Sequence, residues 1–134
     1  IMPSLVGSEM CIRDRYADEK VQAWSDAVDA CDGFVFVTPE YNRSVPGPFK
    51  NAFDCLAAEW AGKPVAFVGY GPAGAIRGVE AWRTIVVNFS MPQLRNQLDF
   101  GFFTDWADGE FRPVDAKVER TNSLLAELED ALSA

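Results

Sequence analysis

Two loops of this chain carry residue types that chemistry could use. The first, Thr38-Pro39-Glu40-Tyr41-Asn42-Arg43-Ser44-Val45-Pro46-Gly47, follows the short apolar run Gly33–Val37 and opens into a helical pattern at Pro48. The second, Gly69-Tyr70-Gly71-Pro72-Ala73-Gly74, follows Val65–Val68 and opens into another. In open α/β sheets, ligands bind outside the carboxyl ends of the strands. Glycine lets the main chain approach a ligand closely, and each helix start offers partial positive charge. A flat, anionic ligand suits such a place. Tyr41 and Tyr70 would supply aromatic surface, and Asn42 an amide donor for a ring carbonyl. On spacing alone, the same loops read equally well as ordinary strand-to-helix turns.

The chain has no histidine. That removes Ser-His-Asp and Cys-His nucleophile systems, zinc sites with His ligands and His general bases. No residue is assigned as catalytic and none as a metal ligand. If the protein is an enzyme, a bound cofactor is the obvious source of its hard chemistry. Cys11, Cys31 and Cys55 are odd in number and lack C-x-x-C spacing, which points to free thiols in a reducing compartment, the cytoplasm. Cys31 and Cys55 fall on apolar helix faces and read as inert core thiols.

The elements that must position the loops follow from periodicity. At 134 residues, one domain is expected. Hydrophobic content of 49%, with ten Phe and four Trp, describes a folded domain rather than a disordered chain. A net charge of −8 argues against nucleic acid and anionic membrane surfaces as partners, and no apolar run is long enough to span a membrane. Residues 1–15 have no clear period and resemble a translated artefact, so the domain is taken as 16–134. Val21, Trp24, Val28 and Cys31 predict a helix over 17–31. Helices are also predicted from Pro48 to Trp60, with Lys50 and Asp54 at pairing distance, and from Arg77 to Phe89. The last runs from Val114 to Leu132, with Val114, Val118, Leu125, Leu128 and Leu132 inward. Strands are expected at 34–37, 65–68 and 94–100, and 105–113 reads as a polar loop. This alternation means a parallel sheet covered on both faces.

The wording of the first loop adds more. Thr38-Pro39-Glu40-Tyr41-Asn42, Ser44, Pro46-Gly47, Lys50-Asn51 and Asp54 resemble the NADPH-dependent FMN reductase family of flavodoxin-like proteins. Gly71, Gly74, Arg77, Glu80 and Arg83 match the family's glycine-rich segment, with Pro72 and Ala75 in place of two glycines. Ala75 is expected to resist positive φ. Ser90-Met91-Pro92 resembles the turn before the family's last strand. The resemblance spans roughly residues 20–132 and implies a flavodoxin-like three-layer sandwich. It also implies FMN as cofactor, NADPH or NADH as electron donor and a small acceptor such as a quinone, azo compound or metal oxyanion. The roles it implies at the cofactor fall on Pro39, Glu40, Tyr41, Asn42, Tyr70, Gly71 and Gly74. A cytoplasmic homodimer or homotetramer is implied as well.

The family's opening strand and its G-S-x-R-x-x-S phosphate loop are not found: Gly7-Ser8 is followed by Glu9-Met10-Cys11-Ile12. The sheet is therefore expected to be incomplete at its N-terminal side, with Gly33–Val37 left as an apolar edge, and FMN binding is expected to be weak. A flavodoxin-like electron carrier and a non-catalytic scaffold are the alternative functions.

Overall fold

A computed structural model of the chain describes Tyr16 and residues 18–133; the leader read at 1–15 lies outside them. Helix α1 (Glu19–Asp29) starts where Asp18 accepts the N–H groups of Lys20 and Val21, satisfying donors the first turn leaves free. Strand β1 (Phe34–Pro39) leads into α2 (Gly47–Asp54), with Pro48 in its first turn. A 3₁₀ turn at Ala58–Trp60 finishes the segment expected to be one continuous helix. Then follow β2 (Val65–Gly71), α3 (Ile76–Val86), β3 (Gln93–Gly101) and the closing helix α4 (Asp115–Leu132). Lys50 and Asp54 make the expected ion pair on α2.

The three strands form one parallel sheet in the order β1-β2-β3. Residues alternate between its faces. On one face Phe36, Val65 and Phe67 pack with Val28 of α1, Phe53 of α2, Leu56, Trp60, and Val79, Trp82 and Val86 of α3. This core is dense in rings: Phe53 stacks on Trp60 at 4.7 Å, and Phe36 meets Trp82 edge-on at 5.3 Å. On the other face Ala66, Leu94 and Leu98 pack with Leu124 and Leu128 of α4.

Three expectations need correction. Residues 105–113 are not a simple polar loop: β4 (Trp106–Ala107) and β5 (Glu110–Phe111) pair as a hairpin. Asp108 and Gly109 at its tip both have positive φ, the geometry that a two-residue hairpin turn needs. Cys31 is exposed and Cys55 half-buried, because α1 ends at Asp29 and carries Cys31 past the helical stripe. Finally, α4 is rotated relative to the apolar pattern. Leu124 and Leu128 face the sheet, whereas Val114, Val118, Leu125 and Leu132 are exposed.

Among the described residues, the second face is covered over β2 and β3 only. Val35 and Val37 of β1 are 38% and 57% exposed, and β1 has no partner on its outer side among the described residues. A hollow of about 460 Å³ beside them is lined by Val37, Val68, Tyr70, Phe100, Trp106 and Phe111. An apolar dye that fluoresces on leaving water is expected to light up on the folded chain, and Val37→Lys is expected to lower that signal at least twofold. Equal emission from both would mean that the hollow is not the binding surface.

Candidate functional site

The register of β1 against β2 pairs Pro39 with Tyr70. The loops that follow them therefore leave the sheet side by side, at the carboxyl ends of neighbouring strands. Beyond Pro39 the chain makes a tight turn. The N–H of Tyr41 donates to the Ser44 carbonyl and the N–H of Ser44 donates to the Tyr41 carbonyl, both at 3.0 Å. Asn42 and Arg43 between them have φ of 50° and 66°. Two consecutive left-handed residues define a type I′ turn, and an arginine there is strained. The turn projects Tyr41 outward, 56% exposed, with Asn42 beside it.

The second loop is built on glycines with different duties. A Cβ on Gly69 would lie 2.3 Å from the Gly74 carbonyl oxygen, so the loop folds directly back over β2. Gly74 has φ of 63°, and a Cβ there would meet the Asp99 Cβ at 2.8 Å. Gly74 is thus required by packing within the protein. Gly71 is different: its φ is 145°, and a Cβ would meet nothing within 4 Å. The space a side chain would fill there is empty, although the residue itself is buried and its carbonyl accepts the N–H groups of Gly74 and Phe102. Ala75 adopts φ of 54° despite its methyl group, at a cost of about 1–2 kcal/mol.

Several contacts hold the two loops together. The buried Thr38 hydroxyl accepts from the Trp82 indole N–H at 3.2 Å. Gly78 lies so close to the first loop that a Cβ would sit 3.2 Å from the Pro39 carbonyl oxygen. The Glu40 carboxylate accepts from the Arg77 backbone N–H at 3.1 Å and from the Arg77 guanidinium at 2.6 Å. Burial would raise the Glu40 pKa, but the hydrogen bonds from the Arg77 side chain and backbone outweigh it and hold the carboxyl below the usual glutamate value.

The expected site residues are therefore gathered at one edge, in two groups. Tyr41 and Asn42 are exposed on the first turn, Tyr70 is half-buried and Gly71 buried at the end of β2, and Pro39, Glu40 and Gly74 are engaged in holding the loops. One expectation changes. Both helix starts were to offer free positive charge, yet at α3 the Arg77 N–H is taken by Glu40. The start of α2 has no side-chain cap, since its N-cap is Pro46. Sequence reasoning left Arg77 and Gly78 out of the site; the Gly-x-x-Arg-Gly run in the second loop was the available signal.

The last strand is anchored nearby. Asp105 is buried, and its Oδ2 accepts from the Gly101 N–H at 2.8 Å, the Thr104 hydroxyl at 2.7 Å and the Lys117 ammonium at 2.6 Å. The Phe102 N–H donates to the Gly71 carbonyl at 3.2 Å, tying this turn to the second loop. Phe102, Trp106 and Phe111 form an aromatic cluster at its rim. Among the described residues, no helix is long and apolar enough to cross a membrane.

Comparison with known proteins agrees with this geometry. A family model described as NADPH-dependent FMN reductase matches residues 2–105. The chain is 47% identical over 70 residues to the NAD(P)H-dependent FMN reductase LOT6 of Saccharomyces cerevisiae, covering 52% of this chain and 37% of that protein. It is 41% identical over 90 residues to a quinone reductase of Pseudomonas putida, covering 59% and 48% respectively. Among solved structures, the flavoenzyme NAD(P)H:(acceptor) oxidoreductase FerB of Paracoccus denitrificans superposes with a TM-score of 0.62 at 25% identity, over 87% of this chain and 68% of that one. An oxidoreductase of Corynebacterium diphtheriae, at 20% identity and a TM-score of 0.63 over 86% and 60% of the two chains, shares the fold. The chain spans between about a third and a half of the length of the curated relatives it matches. With parallel strands, paired loops and a matching family model, this flavodoxin-like chain belongs to the NADPH-dependent FMN reductase family.

Proposed function

We propose that this chain carries the ring-binding floor of an NAD(P)H-dependent FMN reductase whose acceptor is a small quinone. The observation that supports the reading is the pairing of Pro39 with Tyr70, which brings the loop of Tyr41 and Asn42 and the loop of Gly71 to the same end of the sheet. Gly71 presents main chain without a side chain, Tyr41 presents an exposed ring, and Asn42 presents an amide on a rigid turn. These groups suit a flat heterocycle with carbonyl edges. FMN, when bound, would supply hydride acceptance from the nicotinamide and onward reduction of the acceptor. The chain's own residues bind and orient, and no side chain is required to take up a proton. Relatives named as quinone reductases favour quinones over azo compounds or metal oxyanions as acceptors. A cytoplasmic homodimer or homotetramer is part of the same proposal.

The test is titration of the purified chain with FMN, followed by anaerobic addition of NADPH. Quenching of flavin fluorescence, with a dissociation constant in the micromolar range or weaker, is expected. Loss of the flavin's visible absorbance on adding NADPH, and its return on adding a benzoquinone, supports the reductase. Bound flavin that NADPH does not bleach would instead make the protein an electron carrier. Absence of any flavin binding would leave a scaffold. Tyr41→Ala is expected to weaken FMN binding about threefold to tenfold, the worth of one aromatic contact. An unchanged affinity would remove Tyr41 from the floor.

A further inference from the structure

The N-terminus of α3 lacks an ordinary cap. Its N-cap is Ala75, which is left-handed and has no side chain able to accept a hydrogen bond. The first turn of a helix leaves donors that must find partners. Here the partner comes from the other loop, 37 residues earlier in the chain: the Glu40 carboxylate accepts from the Arg77 N–H at 3.1 Å. Arg77 and Gly78 are the second and third residues of the helix, the positions that an N-cap Asp or Ser would serve. The same carboxylate holds the Arg77 guanidinium at 2.6 Å, with its own side chain 15% exposed. Gly78 has no Cβ that would push the first loop off the helix, and the Pro39 carbonyl and Glu40 Cα fill that space.

We propose that Glu40 is a positioning residue: it caps α3 from the neighbouring loop and, with Arg77, clamps the Tyr41–Ser44 turn to the Gly71–Ala75 loop so that the cofactor floor is set before the cofactor arrives. The proposal rests on the flavin-binding reading given above and adds a role to it. Both oxygens of the Glu40 carboxylate are engaged by Arg77, through the backbone N–H and the guanidinium. Its effect on the flavin is indirect, through the spacing of Tyr41 and Gly71. Preorganisation of this kind raises affinity by removing the ordering that binding would otherwise require.

The test uses Glu40→Gln, which keeps size and one acceptor but loses the charge, and Arg77→Met, which leaves the first loop's sequence untouched. Glu110→Gln is the control, because Glu110 pairs with Arg112 at the same 2.6 Å on the exposed hairpin. In the flavin-free protein, the amides of Arg77 and Gly78 are expected to exchange about tenfold faster in Glu40→Gln than in the parent or the control. With FMN, the dissociation constant is expected to rise about tenfold, in line with loss of one charge-assisted hydrogen bond. The visible circular dichroism of the bound flavin is expected to change, which a general loss of stability would not produce. Arg77→Met is expected to shift both readouts in the same direction, and the double variant to lose no more than Glu40→Gln alone. Unchanged exchange at Arg77 and Gly78 overturns the clamp. Faster exchange with FMN affinity within twofold of the parent overturns its positioning role. If the parent chain takes up no flavin, the functional reading falls, and the exchange measurement still decides whether Glu40 caps α3.

Discussion

Asp105→Asn is expected to destabilise the chain by about 3 kcal/mol, read as a shift in urea midpoint at neutral pH. Asp105 is 1% exposed and its partner Lys117 has a side chain 16% exposed. Removing one member of a buried pair leaves the other charge uncompensated, which typically costs about 3–5 kcal/mol. Lys117 also donates to the Asp99 carbonyl and lies 3.6 Å from the Asp99 carboxylate, so its charge keeps a partner and the lower end of that range applies. The loss depends on pH with a definite sign. Burial would raise the Asp105 pKa, but hydrogen bonds from Lys117, Thr104 and Gly101 outweigh it and hold the carboxyl below the ordinary aspartate value. A group whose pKa is lower in the folded state stabilises above the unfolded value, about 3.9, and that contribution fades as pH falls toward the folded one. Parent and variant should therefore differ fully at pH 7 and converge below about pH 4. A constant gap between the two down to acid pH would show that Asp105 acts by shape and not by charge.

The same pair explains why α4 was misjudged from its sequence. The apolar residues Val114, Val118, Leu125, Leu128 and Leu132 suggest one stripe, of which Leu128 packs, but the face that packs runs through Lys117, Thr121, Leu124 and Leu128. The buried carboxylate of Asp105 draws Lys117 inward and fixes the rotation of the helix. A partner twelve residues away, in what looked like a loop, cannot be seen in hydrophobic periodicity. By contrast, α3 was legible because its inward residues Val79, Trp82 and Val86 pack into an apolar cluster whose one polar contact, Trp82 to Thr38, leaves the helix rotation unchanged. The strands were legible for the same reason, although each extends beyond its apolar run. Phe34–Pro39 and Val65–Gly71 keep pairing through Thr38-Pro39 and Gly69-Tyr70-Gly71, since a parallel ladder is held by backbone groups and tolerates polar or bare positions.

The outline of the candidate site was similarly half visible. The paired loops followed from strand-loop-helix order, and the Pro39–Tyr70 register places them together. The division of labour did not follow. Glu40 read either as a turn residue or as a flavin contact, and its capping of α3 was hidden because the partner lies on another element. Gly71 and Gly74 looked alike as letters; only their surroundings separate a glycine whose side-chain space is empty from one that clears a neighbour.

Gly69→Ala tests that division most severely. It is expected to lower stability by about 1–3 kcal/mol, the usual cost of forcing atoms into a packed site, and to weaken flavin binding at least tenfold. The new Cβ would stand 2.3 Å from the Gly74 carbonyl oxygen and 3.1 Å from the Ala75 Cβ. The obstacle is backbone, which cannot swing aside as a side-chain tip can. Relief therefore requires the Gly71–Ala75 loop to lift away from β2, and Gly71 moves with it. Gly74 cannot compensate, since its own position is pinned against Asp99. Gly47→Ala is the control: beyond its chain neighbours a Cβ there meets nothing within 4 Å, and its φ lies outside the left-handed region, so its loss is expected to be smaller than that of Gly69→Ala and to come only from the restriction that Pro48 places on the residue before it. Measured together by thermal melts and flavin fluorescence, the two variants separate causes. If Gly69→Ala loses stability while flavin affinity holds, the second loop is scaffolding and the ring must rest elsewhere. If both fall together and Gly47→Ala leaves both intact, the fold-back of the loop over β2 is what gives the floor its shape.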